Sequence, residues 1–267
     1  MFKQITLARV LVFSFLVVFS TTLFSAEPLP TDLKGVDVKE HVGKFLPLDV
    51  TLINADGKTI LLKDLLKKTP VVLSFVYYNC PMLCHFITDG VAAAIRQSDL
   101  KLGKDYQVIS VSFDPKDTTE SAKKFQDRYR ELAKDVVGDW SFLTASPEVV
   151  KALTSSAGFE YRYDPNAKEY MHGAVVLVIS PTGKISRYLY GLNWTPFDFK
   201  LSITEAKKES ERSTMERVML YCYNYDPDSR GYVLYAWNLM KFTALISVFA
   251  IIGIFIYFIT QERKKKS

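Results

Sequence analysis

The chain has 267 residues, of which 48% are hydrophobic and 24% charged, and its formal net charge is +5 at pH 7. Four positive charges lie together at residues 263–266, so the rest of the chain is nearly neutral and has no basic stripe of the kind that binds nucleic acid. The three cysteines are an odd number, which argues against a simple framework of paired disulfides.

The N-terminal segment has the pattern of a secretory signal. Lys3 and Arg9 supply positive charge, residues 10–24 are mostly apolar, and the small residues Ser25 and Ala26 offer a cleavage point. We therefore predict a signal peptide over residues 1–26, with an uncleaved N-terminal anchor as the alternative. Export would place the body of the chain in an oxidising compartment, where neighbouring cysteines form a disulfide unless something reduces or ligates them.

The body of the chain, residues 38–206, is predicted to form one domain. Its first half predicts a hairpin that turns at Asp56 and Gly57, and then a strand over residues 71–77 that is apolar enough to be buried on both faces. A helix over about residues 82–95 and a second buried strand in "YQVISVSFD" follow. Cys80 and Cys84 lie where the first buried strand gives way to the helix.

The second half of the domain continues this alternation. The sequence "DTTE" at residues 117–120 is a capping-box pattern that predicts a helix to about residue 133, and "WSFLTA" predicts a short strand. Ser146 with Pro147, and later Thr195 with Pro196, each predict the start of a helix. Between them, "GAVVLVIS" and "KISRYLYG" flank "PTG" and predict a second hairpin. The alternation predicts an α/β, thioredoxin-like fold, with a central mixed sheet flanked by helices.

The C-terminal region is predicted to hold a membrane anchor. Residues 242–260, "FTALISVFAIIGIFIYFIT", carry no charge and are long enough to cross a bilayer, and the basic residues after them should stay cytoplasmic. We therefore predict a juxtamembrane segment at 207–240, a transmembrane helix at 241–260 and a cytoplasmic tail at 261–267. The expected location is the inner (cytoplasmic) membrane, with the soluble domain in the periplasm or on the outer side.

Cys80 and Cys84 are the candidate reactive residues. Positions i and i+4 of a helix share one face, and a helix N-terminus favours thiolates, so both sulfurs can point at one spot. The familiar redox pair has two residues between its cysteines, whereas this pair has three. The wider spacing suits chelation of a soft ion such as Cu(I) and still permits a disulfide. A metal site, a redox pair, a structural disulfide and a pair of buried apolar residues therefore remain open.

One of three histidines is a candidate third ligand. His41 precedes the first hairpin and is expected at the surface, and His85 should point about 100° around the helix from Cys84. His172 lies just before the strand in "GAVVLVIS", in a loop that a thioredoxin-like layout brings beside the cysteines. Redox members of that fold carry a cis-proline in this loop, whereas residues 166–180 contain no proline. We therefore predict that His172 completes a metal site.

These segments resemble the SCO/SenC family of copper-handling proteins. The resemblance rests on "FVYYNCPMLC", "VISVSFDPKDT", "WSFLTASPEVVKALTSSAGFEYRYDP" and His172 before "VVLVISPTGKISRYLYG", and it covers roughly residues 38–192. It implies a mononuclear copper site, as Cu(I) or Cu(II), formed by Cys80, Cys84 and His172, and a role in maturing the copper centre of a respiratory haem–copper oxidase. The implied partners are the copper-binding subunit of the oxidase, a copper donor and a periplasmic thiol reductant. Family members usually have an N-terminal anchor, so a C-terminal span indicates a subgroup found with bacterial oxidase assemblies.

Two functions of different classes follow from these residues. The first is a copper metallochaperone, and the alternative is a membrane-anchored thiol–disulfide oxidoreductase that reduces the cysteines of the oxidase subunit, with Cys80 as the attacking thiolate. Whether the chain is an enzyme therefore stays open. A membrane-anchored sensor ranks last because the tail resembles no signalling domain. Peroxidase chemistry is disfavoured because Val76 and Tyr77 occupy the place of the threonine that it would need.

Three further residues have weaker predicted roles. Asp114 follows the second buried strand and could orient a ligand or dock a partner, with a loop cap as the equal alternative. Met82 lies between the two cysteines and is expected to pack or to contact a partner. Cys222 is expected to be a buried apolar residue near the bilayer, although it could also resolve a mixed disulfide or receive copper.

Overall fold

The structure is a computed structural model that describes residues 36–66, 68–80, 83–132, 140–208, 212–226, 231–235, 240–241, 243–253 and 256. The predicted signal peptide at 1–26 and the predicted tail at 261–267 lie outside these ranges. Within them, helices and strands alternate along the chain. The strands are β1 (Thr51–Asn54), β2 (Thr59–Leu61), β3 (Val71–Val76), β4 (Gln107–Ser112), β5 (Trp140–Thr144), β6 (Tyr161–Asp164), β7 (Glu169–His172), β8 (Val175–Ile179), β9 (Ile185–Tyr190), β10 (Tyr223–Asp226) and β11 (Gly231–Leu234). The helices are α1 (Leu62–Leu65), α2 (Leu83–Gln97), α3 (Thr119–Leu132), α4 (Pro147–Ser156), α5 (Pro196–Ala206) and α6 (Thr214–Cys222).

Seven of the strands form one mixed sheet in the order β2-β1-β5-β4-β3-β8-β9. The central strands β3, β4 and β5 are parallel, whereas β8 runs antiparallel to β3 and β9 antiparallel to β8. The predicted hairpins β1–β2 and β8–β9 are both present. With the flanking helices, this arrangement confirms the predicted thioredoxin-like α/β fold.

The core lies around the central strands. All six residues of β3 are buried, as expected for a strand covered on both faces, and five of the six residues of β4 are buried beside it. Ser74 and Ser110 face each other in the β3–β4 register with their hydroxyl oxygens 2.7 Å apart, and Trp140 Nε1 donates to Ser110 Oγ at 3.0 Å. These buried polar atoms therefore satisfy one another in an otherwise apolar sheet.

Local sequence chemistry fixes several of the helix boundaries. Ser146 and Thr195 cap α4 and α5 as predicted, and in each case the hydroxyl oxygen accepts a backbone N–H from the first turn and proline follows the cap. Gly90 lies where the loop after β9 crosses α2, and a Cβ at that position would lie 2.1 Å from the carbonyl oxygen of Leu192. This close approach holds α2, the helix that carries Cys84, against the end of the sheet.

The structure corrects the prediction at the start of α3. The reciprocal capping bonds join Thr118 and Ser121, because Thr118 N donates to Ser121 Oγ at 2.9 Å and Ser121 N to Thr118 Oγ1 at 3.3 Å. The predicted box at residues 117–120 is therefore wrong by one position. Asp117 is not the cap because its carboxylate binds a different segment of the chain, described below.

The hairpin β6–β7 was not predicted from the sequence. It forms a separate two-stranded sheet in which Tyr161 pairs with His172 and Asp164 with Glu169. This hairpin connects α4 to β8 and carries His172 at its last position.

The segment after α5 contains α6 and a second small sheet formed by β10 and β11. Of the predicted transmembrane helix at 241–260, residues 241, 243–253 and 256 are described and helical, and the remainder lies outside the described residues. Among the residues that the structure describes, no helix is long and apolar enough to span a membrane.

Candidate metal centre

Sheet topology brings the two cysteines and His172 to one place. Cys80 follows β3, and Cys84 lies in the first turn of α2. Because β8 runs antiparallel to β3, with Ser74 opposite Val176, the start of β8 lies beside the end of β3. His172 precedes β8 by three residues and therefore reaches the cysteines. Open α/β sheets place their ligand-binding sites at this end of the sheet, beyond the carboxyl ends of the parallel strands.

His172 faces Cys84 directly. Its Nε2 lies 3.5 Å from Cys84 Sγ, and its Nδ1 lies 3.1 Å from the carbonyl oxygen of Gly173. A carbonyl oxygen only accepts hydrogen bonds, so Nδ1 carries the proton and the lone pair of the neutral ring is on Nε2. Burial also lowers the pKa of His172, which favours the neutral imidazole. The nitrogen that faces the sulfur is therefore free to act as a ligand.

Both sulfurs are buried and accept backbone hydrogen bonds. Cys84 N donates to Cys80 Sγ at 3.3 Å, and Tyr77 N donates to Cys84 Sγ at 3.3 Å. Both side chains are thiols in this structure, and Cys80 and Cys84 are 5% and 0% exposed. Burial raises the pKa of the Cys84 thiol, and the contact with Cys80 acts in the same direction. A bound cation would oppose both effects, because a coordinating thiol is deprotonated by the metal charge.

The donor atoms fit a soft metal ion. Ligand distances of about 2.3 Å for sulfur and about 2.0 Å for nitrogen, as at zinc, put two ligands of one ion about 3.5 Å apart at a tetrahedral angle. Cys84 Sγ and His172 Nε2 have that separation. In the described ranges no three His, Cys, Asp or Glu side chains are already grouped to hold an ion. Three-ligand binding would therefore require the candidate ligand side chains to move closer together.

Aromatic rings enclose the imidazole. The ring centroids of Phe113, Phe159 and Tyr77 lie 5.3, 5.7 and 6.4 Å from that of His172. Tyr170, two residues before His172 on β7, packs edge-on against Phe113 and Tyr77. This packing keeps His172 at 8% exposure and fixes the ring beside Cys84.

Asp117 holds the turn that leads into Cys80, a role that the sequence did not indicate. Its carboxylate accepts hydrogen bonds from Tyr78 N at 2.7 Å and Asn79 Nδ2 at 2.8 Å. The hydroxyls of Ser112 and Ser121 donate to the same group at 2.6 and 3.1 Å. Burial raises the pKa of this carboxyl, and these donors act in the opposite direction. The parallel register, with Val76 opposite Ser112, explains why a residue after β4 reaches the loop after β3.

The other histidines lie apart from this cluster. His85 stacks on Phe125 of α3 at 5.1 Å between ring centroids, and burial lowers its pKa. His41 Nδ1 lies 2.8 Å from the carbonyl oxygen of Ser156, at the end of α4. The imidazoles of His85 and His41 therefore contact α3 and the end of α4, respectively.

Of the three residues with weaker predicted roles, the structure describes two. Asp114 lies at the border of the aromatic cluster, where Tyr170 OH donates to its carboxylate at 3.4 Å and Lys116 N donates at 2.9 Å. Cys222 is the half-buried last residue of α6. Met82 lies outside the described residues.

The chain is similar to known proteins of one family. The family model for SCO1/SenC matches residues 41–197. Protein SCO1 homolog 1, mitochondrial, of Arabidopsis thaliana is 29% identical over 147 residues, which cover 54% of this chain and 41% of that protein. The match therefore spans less than half of the curated relative's length.

Solved structures share the fold. A crystal structure of a proposed electron transfer protein from Aquifex aeolicus VF5 is 32% identical with a TM-score of 0.56, and the match covers 62% of this chain and 94% of that one. A SCO1/SenC family lipoprotein from Bacillus anthracis str. Ames is 23% identical with a TM-score of 0.52, covering 64% and 99% of the two chains. Other structural neighbours are Sco proteins crystallised with copper bound. Because the family model matches more than half of the chain, this protein belongs to the SCO1/SenC family.

Proposed function

We propose that this protein is a copper metallochaperone that binds one copper ion through Cys80, Cys84 and His172. The observation that carries the proposal is the 3.5 Å contact between Cys84 Sγ and His172 Nε2, in which Gly173 holds the proton on the other ring nitrogen. Two thiolates favour Cu(I), and an imidazole nitrogen is also a good ligand for Cu(II). The buried position of all three side chains would keep water away from the ion.

The proposed cargo passes to the copper-binding subunit of a respiratory haem–copper oxidase. Membership of the SCO1/SenC family supports this partner. A site with only three protein ligands leaves room for an incoming ligand, so thiolates or imidazoles of the partner can bind the copper before the chaperone ligands leave. A copper donor must load the site, and a periplasmic thiol reductant must keep both cysteines reduced in an oxidising compartment.

A second candidate function is favoured by the proximity of the two cysteines, in which Cys84 N donates to Cys80 Sγ at 3.3 Å. In a thiol–disulfide oxidoreductase, the Cys80 thiolate would attack a disulfide of the oxidase subunit and release one subunit thiolate. Cys84 would then attack Cys80 in the mixed disulfide and release the second. The subunit gains two electrons, Cys80 and Cys84 become a disulfide, and a dithiol reductant restores them. The bond from Cys84 N to Cys80 Sγ stabilises Cys80 as the attacking thiolate.

Asp117 is proposed as a positioning residue for Cys80. It contacts neither a sulfur nor the imidazole through any of its described hydrogen bonds. Instead it binds the two residues directly before Cys80. Groups that orient metal ligands in this way tune affinity although they do not touch the ion.

We also propose that the C-terminal segment tethers the chain to the inner membrane. The support is the uncharged run at 242–260 with the basic residues 263–266 after it. The copper domain, with its juxtamembrane segment at 207–240, would lie on the periplasmic or outer side, and the tail at 261–267 in the cytoplasm. This topology is that of the proposed family subgroup with a C-terminal anchor.

Replacing His172 should weaken copper binding selectively. Loss of an outer-shell group costs about 10–100-fold in metal affinity, so loss of a ligand in His172→Phe should cost about 100-fold or more. The change keeps a ring among the aromatic neighbours. The measurement is Cu(I) affinity by competition with a chromogenic chelator, together with copper bound per chain. His85→Phe is the matched control, and it should bind copper as the wild type does. Equal affinity in the His172 and His85 variants would exclude the three-ligand site.

Asp117→Asn should lower copper affinity by about tenfold, because an amide cannot accept four hydrogen bonds and the turn before Cys80 loosens. Asp127→Asn, on the exposed side of α3, serves as the control and should leave affinity unchanged. Both affinities are measured by the same chelator competition, with thermal unfolding followed in parallel. A variant that unfolds at lower temperature yet binds copper with wild-type affinity would show that Asp117 acts on stability alone.

If the chain acts as a thiol–disulfide oxidoreductase, a mixed-disulfide intermediate can be trapped. Cys84→Ser should accumulate a mixed disulfide between Cys80 and the oxidase subunit, because the resolving thiol is missing. The adduct would appear on non-reducing gels of membranes that contain both proteins and would vanish with dithiothreitol. Cys80→Ser should form no such adduct. If Cys84→Ser traps nothing while copper binding by the wild type is intact, the chaperone function stands without the reductase.

The proposed topology predicts which thiols are accessible from outside the cell. In a Cys80→Ser/Cys84→Ser variant, Cys222 is the remaining cysteine of the chain, and a membrane-impermeant maleimide should label it in intact spheroplasts. With all three native cysteines replaced by serine, a Ser267→Cys variant should be labelled after lysis and not before. Labelling of Ser267→Cys in intact spheroplasts would contradict a cytoplasmic tail.

A further inference from the structure

A basic cavity of about 860 Å³ lies away from the copper site. It is bordered by the β8–β9 turn, the end of α5, one face of α6 and the start of β10. His172 lies just before the first residue of β8, whereas the cavity borders the turn that follows the last residue of β8. The two sites are therefore at opposite ends of the same strand, and the cavity has no residue in common with the copper ligands.

Positive charge dominates the lining of the cavity. Five of its lining residues are basic and one, Glu205, is acidic: Lys184, Arg187, Lys207, Lys208 and Arg212 are the basic ones. Glu205 is already neutralised, because Arg187 binds both of its carboxylate oxygens and Tyr232 OH donates to one of them. Lys207 is paired with Glu216 at 2.9 Å. Among the described residues, no carboxylate is paired with Lys184 or Arg212.

Arg212 and Lys184 carry much of this surplus. Arg212 Nη2 donates to the carbonyl oxygens of Glu205 and Lys207, whereas its Nε is buried and has no hydrogen-bond partner among the described residues. Lys184 is exposed at the β8–β9 turn and makes no described ion pair. An oxyanion with several acceptor oxygens would suit these donors, because guanidinium and ammonium groups bind phosphate strongly.

The helix that forms one wall of the cavity has an apolar opposite face. Leu220 of α6 lines the cavity and Glu216 is paired with Lys207 on that side. On the far side of the helix, Met215, Val218 and Tyr221 are 68%, 52% and 50% exposed. Further exposed apolar side chains follow in the chain, at Val233, Leu234, Tyr235 and Met240 and then throughout the described helical residues 243–253.

We propose that this cavity binds the phosphate of an anionic phospholipid headgroup, while the apolar face of α6 lies at the membrane surface beside it. The inference rests on the membrane tether proposed above and adds a lipid site to it. The end of β11 at Leu234 is seven residues from the predicted span at 241, and so few residues reach at most about 25 Å. Apolar faces and basic pockets next to a membrane segment are what interfacial and headgroup binding require.

Lipid titration of the full chain tests the site. The chain is purified in a neutral detergent and titrated calorimetrically with a short-chain phosphatidylglycerol, with the matching phosphatidylcholine and with inorganic phosphate. Phosphatidylglycerol should bind more tightly than phosphatidylcholine. Lys184→Gln should weaken phosphatidylglycerol binding about fivefold, since one basic residue near an anionic lipid contributes a factor of that size. Arg212→Gln should weaken it further.

Control variants separate this site from general charge effects. Lys58→Gln removes an exposed lysine of the β1–β2 turn and should leave lipid binding unchanged. Equal binding by wild type and Lys184→Gln would overturn the proposal, as would equal binding of phosphatidylglycerol and inorganic phosphate, which would identify a soluble anion as the ligand. Extraction of the chain from native membranes by alkaline carbonate tests the tether separately, and chelator competition tests the copper site.

Discussion

The hydrogen bond between His172 Nδ1 and the carbonyl oxygen of Gly173 is the interaction on which the site depends. It assigns the proton to one ring nitrogen and leaves the other to face Cys84. That bond exists because the chain turns from β7 into β8 at Gly173, and β8 in turn lies beside β3, from which the cysteines extend. The order of the strands therefore places the loop at Gly173 beside the cysteines, and the conformation of that loop selects the tautomer of His172. Burial supports it, since a protonated ring in this apolar setting would be unfavourable.

Much of the fold could be predicted from the sequence because its signals are local. Continuous apolar runs indicate β3 and β4, and Ser146 and Thr195, each followed by proline, indicate where two helices begin. The β6–β7 hairpin gave a weak signal for a physical reason. Its turn contains no glycine, and Lys168 adopts a positive φ of 56°, which residues other than glycine rarely take. Aromatic residues on both of its strands also obscure the alternation that marks a half-buried strand.

The candidate site could be predicted only in part. Spacing indicates that Cys80 and Cys84 share a helix end, and the order of elements indicates that His172 comes near them. The role of Asp117 could not be predicted, because the pattern at residues 117–120 describes a local cap, whereas the actual bonds reach Tyr78 and Asn79 across the β3–β4 edge. Long-range partners replace a local cap here because the strand register brings the backbone N–H of Tyr78 and the side-chain amide of Asn79 to the carboxylate. The orientation of the imidazole is equally non-local, since it packs against three aromatic side chains from different segments of the chain.

The proposed ligands are attached to two different sheets of the fold. Cys80 and Cys84 are attached to a central strand of a seven-stranded sheet and to the helix that follows it, whereas His172 ends a separate two-stranded ribbon. The ribbon is not isolated, because Tyr161 and Tyr170 of its strands pack against the core beside His172. A two-stranded ribbon is marginally stable by itself, so the position of the imidazole depends on that packing. Loosening the packing would displace one proposed ligand, while the two cysteines keep their backbone connections to the central sheet and α2.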